Sequence, residues 1–490
     1  MTESQSAPPA NPAAMADPNE IDARVFPTSA RRGSSCGILK LGDLPVTELV
    51  EEFGSPLYVI DEDGARARAR AIREALQGEA ERVGTSATVY YAGKAFLCIE
   101  VARWMVEEGL FVDVASGGEL AVALAAGVPP ERIGFHGNNK SVAEITRAVE
   151  AGVGTIIIDS EIETERIAAA ARAAGRRQRV RLRVNSGVHA STHDFLATSH
   201  EDQKFGQPLA EAPRLVAAIV AHDSLDFVGL HCHIGSQIFA TEGFRESARR
   251  LLGAYPALAE IAGGPIPELN LGGGFGIAYT SAEADAAPDV AVIARELADI
   301  VAETAAEVGV PIPRLAFEPG RSVIGQSGIT LYTVGTTKTV DLAGSDAEAD
   351  PADGGATERL YVSVDGGMSD NARTALYGAD YQVRIANRRS DVEPRLVRVV
   401  GKHCESGDIV VQRDRLPGDV EPGDVLAVAA TGAYCWSLAS NYNYVPRPPV
   451  VAVKGGTPRL IVRGQSESEL VAQSIDSAAA HTTGENGVSK

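Results

Sequence analysis

From residue 86 to residue 320 the chain alternates eight short apolar runs with longer stretches whose apolar positions recur at helical spacing. The runs are SATVYYA to Ala92, LFVDVA to Ala115, RIGFHG to Gly137, GTIIIDS to Ser160, RVRLRVN to Asn185, DFVGLHCHI to Ile234, PELNLGGG to Gly274 and RLAFEPG to Gly320. Between most of them lie Ala-, Glu- and Arg-rich segments such as IEVARWMVEEG, GELAVALAAG, VAEITRAVEAG and ETERIAAAARAAG. Each is stopped by Gly, which tolerates the backbone conformation that closes a helix. Strands buried on both faces read as continuous apolar runs, and repeated strand–helix alternation demands parallel pairing. Eight such units predict an N-terminal (β/α)8 barrel of TIM type, with an open doubly wound sheet as the competing layout. The barrel is preferred because the unit count matches and polar signatures fall at strand C-termini, where barrel enzymes keep their chemistry.

After Ser322 the texture changes to alternating and β-branched strands without intervening helices: GITLYTVGTTKTV, RLYVSVDGG, YQVRIANR, RLVRVVGKHC, DIVVQRD, DVLAVAATGAY, PVVAVKGG and RLIVRG. Short strands at turn-bounded spacing predict a second, all-β domain of Greek-key or barrel-like form. SPLYVI, ending at Ile60, shares that texture and is expected to pair with it, making the barrel an insertion between β elements. The expected organisation is a disordered leader (1–33), an N-terminal segment (34–62), the barrel (63–325), the β-domain (326–470) and a disordered polar tail (471–490). The acidic, Ala- and Gly-rich stretch 341–358 reads as a solvated loop insertion.

A chain of 490 residues exceeds one compact core, in keeping with two domains. Its formal charge of −20 argues against nucleic-acid or anionic-membrane partners, which need a basic surface. The five cysteines (Cys36, Cys98, Cys232, Cys404, Cys435) are odd in number and lack CxxC, so neither a disulfide framework nor a metal site is expected. Reduced thiols imply a cytoplasmic setting. The leader has no apolar signal core and no span long enough to cross a bilayer.

Lys94, in VYYAGKAF, stands at the first barrel strand's end among Tyr90, Tyr91 and Phe96. Such surroundings desolvate an ammonium and favour the neutral amine, which forms a Schiff base with a carbonyl substrate or with pyridoxal phosphate. The cofactor's further needs can each be matched. Backbone N–H groups of the NLGGGFG turn, with Gly273 and Gly274, suit its phosphate. That turn fails the dinucleotide fingerprint GxGxxG because Ile277 replaces the third glycine. Glu318 in FEPGRS, with Pro319 and Gly320 after it, can keep the pyridine nitrogen protonated, and Arg321 can bind phosphate or a carboxylate bidentately. His233 can stack on the cofactor ring while Ser236 donates to phosphate. A core histidine satisfied by backbone is the plainer reading, and His231 two residues earlier illustrates it.

VYYAGKAF, DVASGGEL, FHGNNKS, HEDQKFG, GLHCHIGSQI, NLGGGFGIAY, FEPGRS, DGGMSD, ALYGA, CESGD and TGAYCWSLASNYN together resemble the diaminopimelate decarboxylase family, from about Ile38 to Val462. That family belongs to the alanine racemase-like, fold type III pyridoxal-phosphate enzymes. The resemblance implies decarboxylation of meso-2,6-diaminopimelate at its D-configured carbon to L-lysine, the last step of lysine biosynthesis. By motif, Lys94 carries the cofactor, Glu318 pairs with the pyridine nitrogen, and Gly274, Ser236, Arg321 and Tyr434 hold the cofactor. Arg321, Arg373, Tyr377, Glu405 and Tyr434 contact substrate, and Cys404 donates the proton after carbon dioxide leaves. Cys404 and Glu405 come from the other subunit, so a head-to-tail homodimer with shared active sites is implied.

Two stretches depart from the family pattern: Lys402-His403 before CESGD, and NSGVHASTHDF. Neither removes a named group, although His403 could alter the acidity of Cys404. A decarboxylase for ornithine, arginine or a carboxy-polyamine is the nearest alternative, against which Arg373 argues, since the simple diamine-forming enzymes have no distal carboxylate to bind. A racemase would not need Glu318. A non-catalytic pyridoxal-phosphate carrier would have no use for the CESGD and TGAY elements.

Overall fold

The computed structural model describes residues 17–34, 37–188, 204–342 and 356–475. Eight strands, β1 (Ala87–Ala92), β2 (Phe111–Val114), β3 (Ile133–Phe135), β4 (Thr155–Ile158), β5 (Gln178–Asn185), β6 (Leu225–His231), β7 (Glu268–Asn270) and β8 (Arg314–Phe317), each pair in parallel with the next. β8 then returns to β1, with Leu315 opposite Ala87, so the sheet closes and leaves no edge within the barrel. The connecting helices form where the pattern places them. In Val142–Ala151 the buried Ile145, Ala148 and Val149 make one stripe, Ser141 and Glu144 form a reciprocal capping box, and Gly152 closes the helix in the left-handed conformation. Deep in the barrel the Arg181 guanidinium pairs with Glu268 at 2.9 Å and lies over the Tyr90 ring, filling the interior with a charge pair.

The second domain is built on one long strand, Gly328–Asp341. Its first half pairs with Leu57–Asp61 and with Val425–Val428, and after an irregularity between Val334 and Thr336 its second half pairs with Glu358–Val364. Leu57–Asp61 is buried throughout and also runs parallel to Val450–Lys454, so the chain enters the barrel from this sheet and returns to it. The barrel and the second domain are thereby joined on both sides.

The leader expected to be structureless through residue 33 is packed from Asp17 onward. Val25 and Phe26 are fully buried, Ala30–Arg32 pairs with Leu39–Leu41, and Arg32 donates to the carbonyls of Gly37, Ile385 and Arg388. The Ala-, Pro- and Ser-rich composition hid this anchor, because two adjacent apolar residues carry no periodicity. Residues 1–16, most of the acidic insertion (343–355), Cys36 and the tail from 476 lie outside the described residues.

Candidate active site

Lys94 lies in a single helical turn, Gly93–Ala95, directly after β1. The Tyr91 hydroxyl donates to the Phe96 carbonyl at 2.6 Å and closes this turn. The lysine reaches into the barrel mouth, which is open to water, while protein surrounds it on most sides. That burial lowers its pKa, against the opposing pull of Glu318 and Asp113. Among the described residues no hydrogen bond or ion pair ties up its ammonium.

Glu318, just after β8, anchors a buried polar cluster. Asn270 donates to its Oε1 at 2.6 Å, His231 Nε2 stands 3.1 Å from Oε2, and His136 Nε2 stands 3.2 Å from Oε1. His136 is also 3.5 Å from Asp113, and the two imidazoles meet edge to face with centroids 5.0 Å apart. Burial alone would raise the Glu318 carboxyl, yet the neighbouring histidines hold it well below the usual carboxylate range. Burial pushes His231 down to about 4, so at neutral pH it acts as a neutral donor. Burial opposes charge on His136 too, but Glu318 and Asp113 prevail and raise it to about 9. The cation that keeps Glu318 ionised is therefore His136. Asp113, raised to about 7 by burial and by Glu318, completes the cluster.

The glycine turn after β7 lies against this cluster. A Cβ on Gly273 would meet the Glu318 carbonyl oxygen at 2.0 Å, and one on Gly274, whose φ is +106°, would meet the Gly235 carbonyl at 2.3 Å. Both positions therefore require glycine. His233 accepts from the Gly273 N–H at 3.4 Å, and burial followed by the nearby Lys94 pushes its pKa to about 3, leaving a neutral ring at the mouth. The Pro319 carbonyl accepts from Ala92 N–H at 3.0 Å, and a Cβ on Gly320 would come within 3.0 Å of Ala92 and Ala95. Glu318, Pro319 and Gly320 are thus locked against the turn that carries Lys94.

Arg321 donates to the Ser236 hydroxyl at 2.8 Å and to the Tyr279 hydroxyl, and lies over the Tyr434 ring at 4.7 Å. Tyr434 N–H in turn donates to the Ala95 carbonyl at 2.7 Å, which brings the second domain onto the lysine turn. Arg373 donates to Tyr381 at 2.6 Å and lies over the Tyr279 ring at 4.7 Å. Both arginines are buried, and neither has a carboxylate partner among the described residues.

Lys94, His233, Ser236, Gly273, Gly274, Glu318, Pro319, Gly320, Arg321, Arg373 and Tyr434 are thus brought together. Tyr377, Cys404 and Glu405 are not. Tyr377 is 59 % exposed, and Cys404 is exposed on a turn where Asn443 accepts from its backbone N–H at 2.9 Å. Among the described residues Glu405 bonds only within that turn, accepting from Ser406 and Gly407. Sequence reasoning missed Asp113, His136, Asn270, Tyr279 and Tyr381. The available signal was a polar residue at the end of an apolar strand, present at Asp113, His136 and Asn270. Most of NSGVHASTHDF lies outside the described residues. A cavity of about 390 Å³ lined by Tyr255, Ile266 and Val310 sits at the strands' N-terminal ends, away from this chemistry.

A closed parallel barrel with a lysine, a clamped carboxylate and a glycine cradle at its mouth, completed by a β-domain, defines a fold type III pyridoxal-dependent enzyme. Residues 66–325 match the family model for the pyridoxal-dependent decarboxylase, pyridoxal binding domain. The chain is 49 % identical over 460 residues to the diaminopimelate decarboxylase of Mycobacterium tuberculosis, covering 92 % of this chain and 98 % of that one. It is 40 % identical over 449 residues to that of Bacillus subtilis, covering 91 % and 97 %. The diaminopimelate decarboxylase of M. jannaschii, solved in complex with L-lysine, superposes with a TM-score of 0.81 at 31 % identity, covering 92 % and 99 %. The chain belongs to the diaminopimelate decarboxylase family.

Proposed function

We propose that this protein uses pyridoxal 5′-phosphate to remove the carboxylate at the D-configured carbon of meso-2,6-diaminopimelate, giving carbon dioxide and L-lysine as the last step of lysine biosynthesis. One observation carries the reading: two buried arginines, Arg321 and Arg373, stand beside the Lys94–Glu318 cluster without a carboxylate partner among the described residues. Uncompensated guanidinium charge at such depth calls for anionic ligands. The cofactor's phosphate and a substrate bearing a second carboxylate supply them.

The donor set fits the cofactor. A carboxylate has about four acceptor sites, and Asn270 and His231 occupy two of those on Glu318 while His136 stands within ion-pair distance at 3.2 Å, leaving room for a pyridine N–H. Gly273 and Gly274 let the turn pack directly on the Glu318 and Gly235 carbonyls, which sets its backbone at the mouth, while Ser236 and Arg321 add a hydroxyl and a cation for the phosphate. Lys94, its neutral form favoured by burial, is the group that would hold the cofactor covalently. When bound, the cofactor supplies a protonated ring that takes up the electron pair left by the departing carbon dioxide.

The chain's own residues direct the rest. Glu318 remains an anion and would keep a proton on the cofactor's ring nitrogen, and neutral His233 at the mouth would offer its ring as a stacking surface. Arg373, with Tyr434, receives the distal carboxylate of the substrate, and Glu405 receives the distal ammonium. Cys404 donates its thiol proton to the carbon that has lost carbon dioxide. Because Cys404 and Glu405 make no contact with the Lys94 cluster of their own chain, a homodimer with shared sites completes the reading. Exposed Tyr442 and Tyr444 beside that turn support a covered surface there. The protein is taken as cytoplasmic: Cys98, Cys232, Cys404 and Cys435 are free, and no helix among the described residues is long and apolar enough to cross a membrane. The functional division follows the barrel at 63–325 and the β-domain at 326–470.

Lysine and carbon dioxide production by the cofactor-loaded protein, offered meso-diaminopimelate, ornithine and arginine side by side, tests the proposal. Turnover of diaminopimelate alone is expected. Turnover of ornithine or arginine would overturn the reading of the distal pocket, and turnover of none would revive a carrier role.

A further inference from the structure

The space between Arg321 and Arg373 is filled by one side chain, the last of the NLGGGFGIAY motif, to which the resemblance gives no role. Tyr279, which follows the glycine turn, is buried, with the Arg373 guanidinium carbon 4.7 Å and the Arg321 guanidinium carbon 5.6 Å from its ring centroid. Its hydroxyl accepts from Arg321. Its ring meets Tyr381 edge to face, with centroids 5.2 Å apart at 79°, and Tyr381 in turn accepts from Arg373 at 2.6 Å. Two like charges at this depth repel strongly, and a π-face with a phenol oxygen is what offsets their charge when no carboxylate is present.

We propose that Tyr279 is the specificity-determining positioning residue of the site, holding Arg321 and Arg373 apart as a preorganised receptor for two separate anions, the cofactor phosphate and the distal carboxylate of the substrate. The proposal rests on the diaminopimelate reading above and adds the residue that makes its distal pocket selective. A carboxylate side chain in the same place would neutralise the arginines and compete with the ligand. An aliphatic one would leave the guanidiniums free to turn away or to share one anion. Tyrosine does neither: it is neutral, and its backbone is fixed by N–H donation to Glu283 at 2.8 Å and by acceptance from Gln382 N–H at 3.2 Å.

The test uses the holoenzyme of wild type, Tyr279→Phe and Tyr279→Leu with two substrates: meso-diaminopimelate, and D-lysine, which keeps the reacting centre but lacks the distal carboxylate. Calorimetric binding of L-lysine, which retains that carboxylate, is compared with cadaverine, which does not. Tyr279→Leu is expected to raise KM for diaminopimelate and Kd for L-lysine by about tenfold or more, with kcat changed less than about threefold. D-lysine turnover and cadaverine binding should be nearly unaffected, and Tyr279→Phe should fall between, because it keeps the ring. Equal losses for ligands with and without the distal carboxylate, or no loss of L-lysine binding, would overturn the proposal. If wild type fails to decarboxylate diaminopimelate, the activity reading falls by itself, and the L-lysine against cadaverine comparison still decides the role of Tyr279.

Discussion

His403 donates to Asp408 twice, through its backbone N–H at 2.7 Å and its ring Nδ1 at 2.9 Å. The same carboxylate accepts from Met368 N–H at 2.6 Å, and the His403 ring stacks on Tyr442 with centroids 5.7 Å apart. Asp408 therefore fixes the turn carrying Cys404 and Glu405 against the DGGMSD loop that leads to Arg373. The unusual Lys402-His403 pair is part of that scaffold: His403 is held by its own carboxylate, and its ring points into the protein rather than toward solvent.

Asp408→Asn replaces an acceptor of three hydrogen bonds by a group that presents its own N–H to donors. We expect a loss of about 1–3 kcal/mol in urea unfolding. Turnover should fall while the cofactor's visible absorbance is retained, since the turn lies outside the Lys94 cluster. An unchanged unfolding midpoint would show that the turn is held by other contacts.

Lys94→Ala should bind no cofactor covalently and show no turnover, with near-native stability because the ammonium has no partner to lose among the described residues. A visible cofactor spectrum surviving denaturing gel filtration would contradict it.

Cys404→Ala should retain the cofactor spectrum yet slow turnover by about 10²–10⁴-fold, the usual range for a lost general acid. Mixing and reassociating Lys94→Ala with Cys404→Ala should restore about a quarter of wild-type activity, because half the dimers are mixed and each carries one intact shared site. A mixture as inactive as its components would remove the shared-site arrangement.

The apo-protein should lose stability between about pH 7 and pH 9 through His136. The histidine's pKa is raised from 6.5 to about 9 in the fold, so over that interval the folded state binds a proton that the unfolded chain has released. Stability is fully present below 6.5 and falls as pH rises through the folded value. Asp113, raised to about 7, makes its own contribution below this window. Urea midpoints of wild type and His136→Gln should therefore converge as pH rises from 7 to 9. Parallel curves would show that Glu318 takes its counter-charge elsewhere.

Local pattern along the chain was enough for the barrel, the β-domain and the placing of Lys94 and Glu318. Strand and helix periodicities are local, and the ordered motifs put Lys94, the glycine turn and Glu318 at the ends of strands. Which charges meet depends on packing between remote parts of the chain. That His136 rather than His231 carries the cation beside Glu318 depends on Asp113, which stands 3.5 Å from His136 and adds a second carboxylate that His231 lacks. That Tyr279 lies between Arg321 and Arg373 depends on the approach of a barrel loop to the second domain. The packed stretch from Asp17 to Gly33 was equally hidden, because Val25 and Phe26 acquire meaning only when a distant surface buries them. Periodicity records which face a residue turns inward, but not which partner from a remote part of the chain will be waiting there.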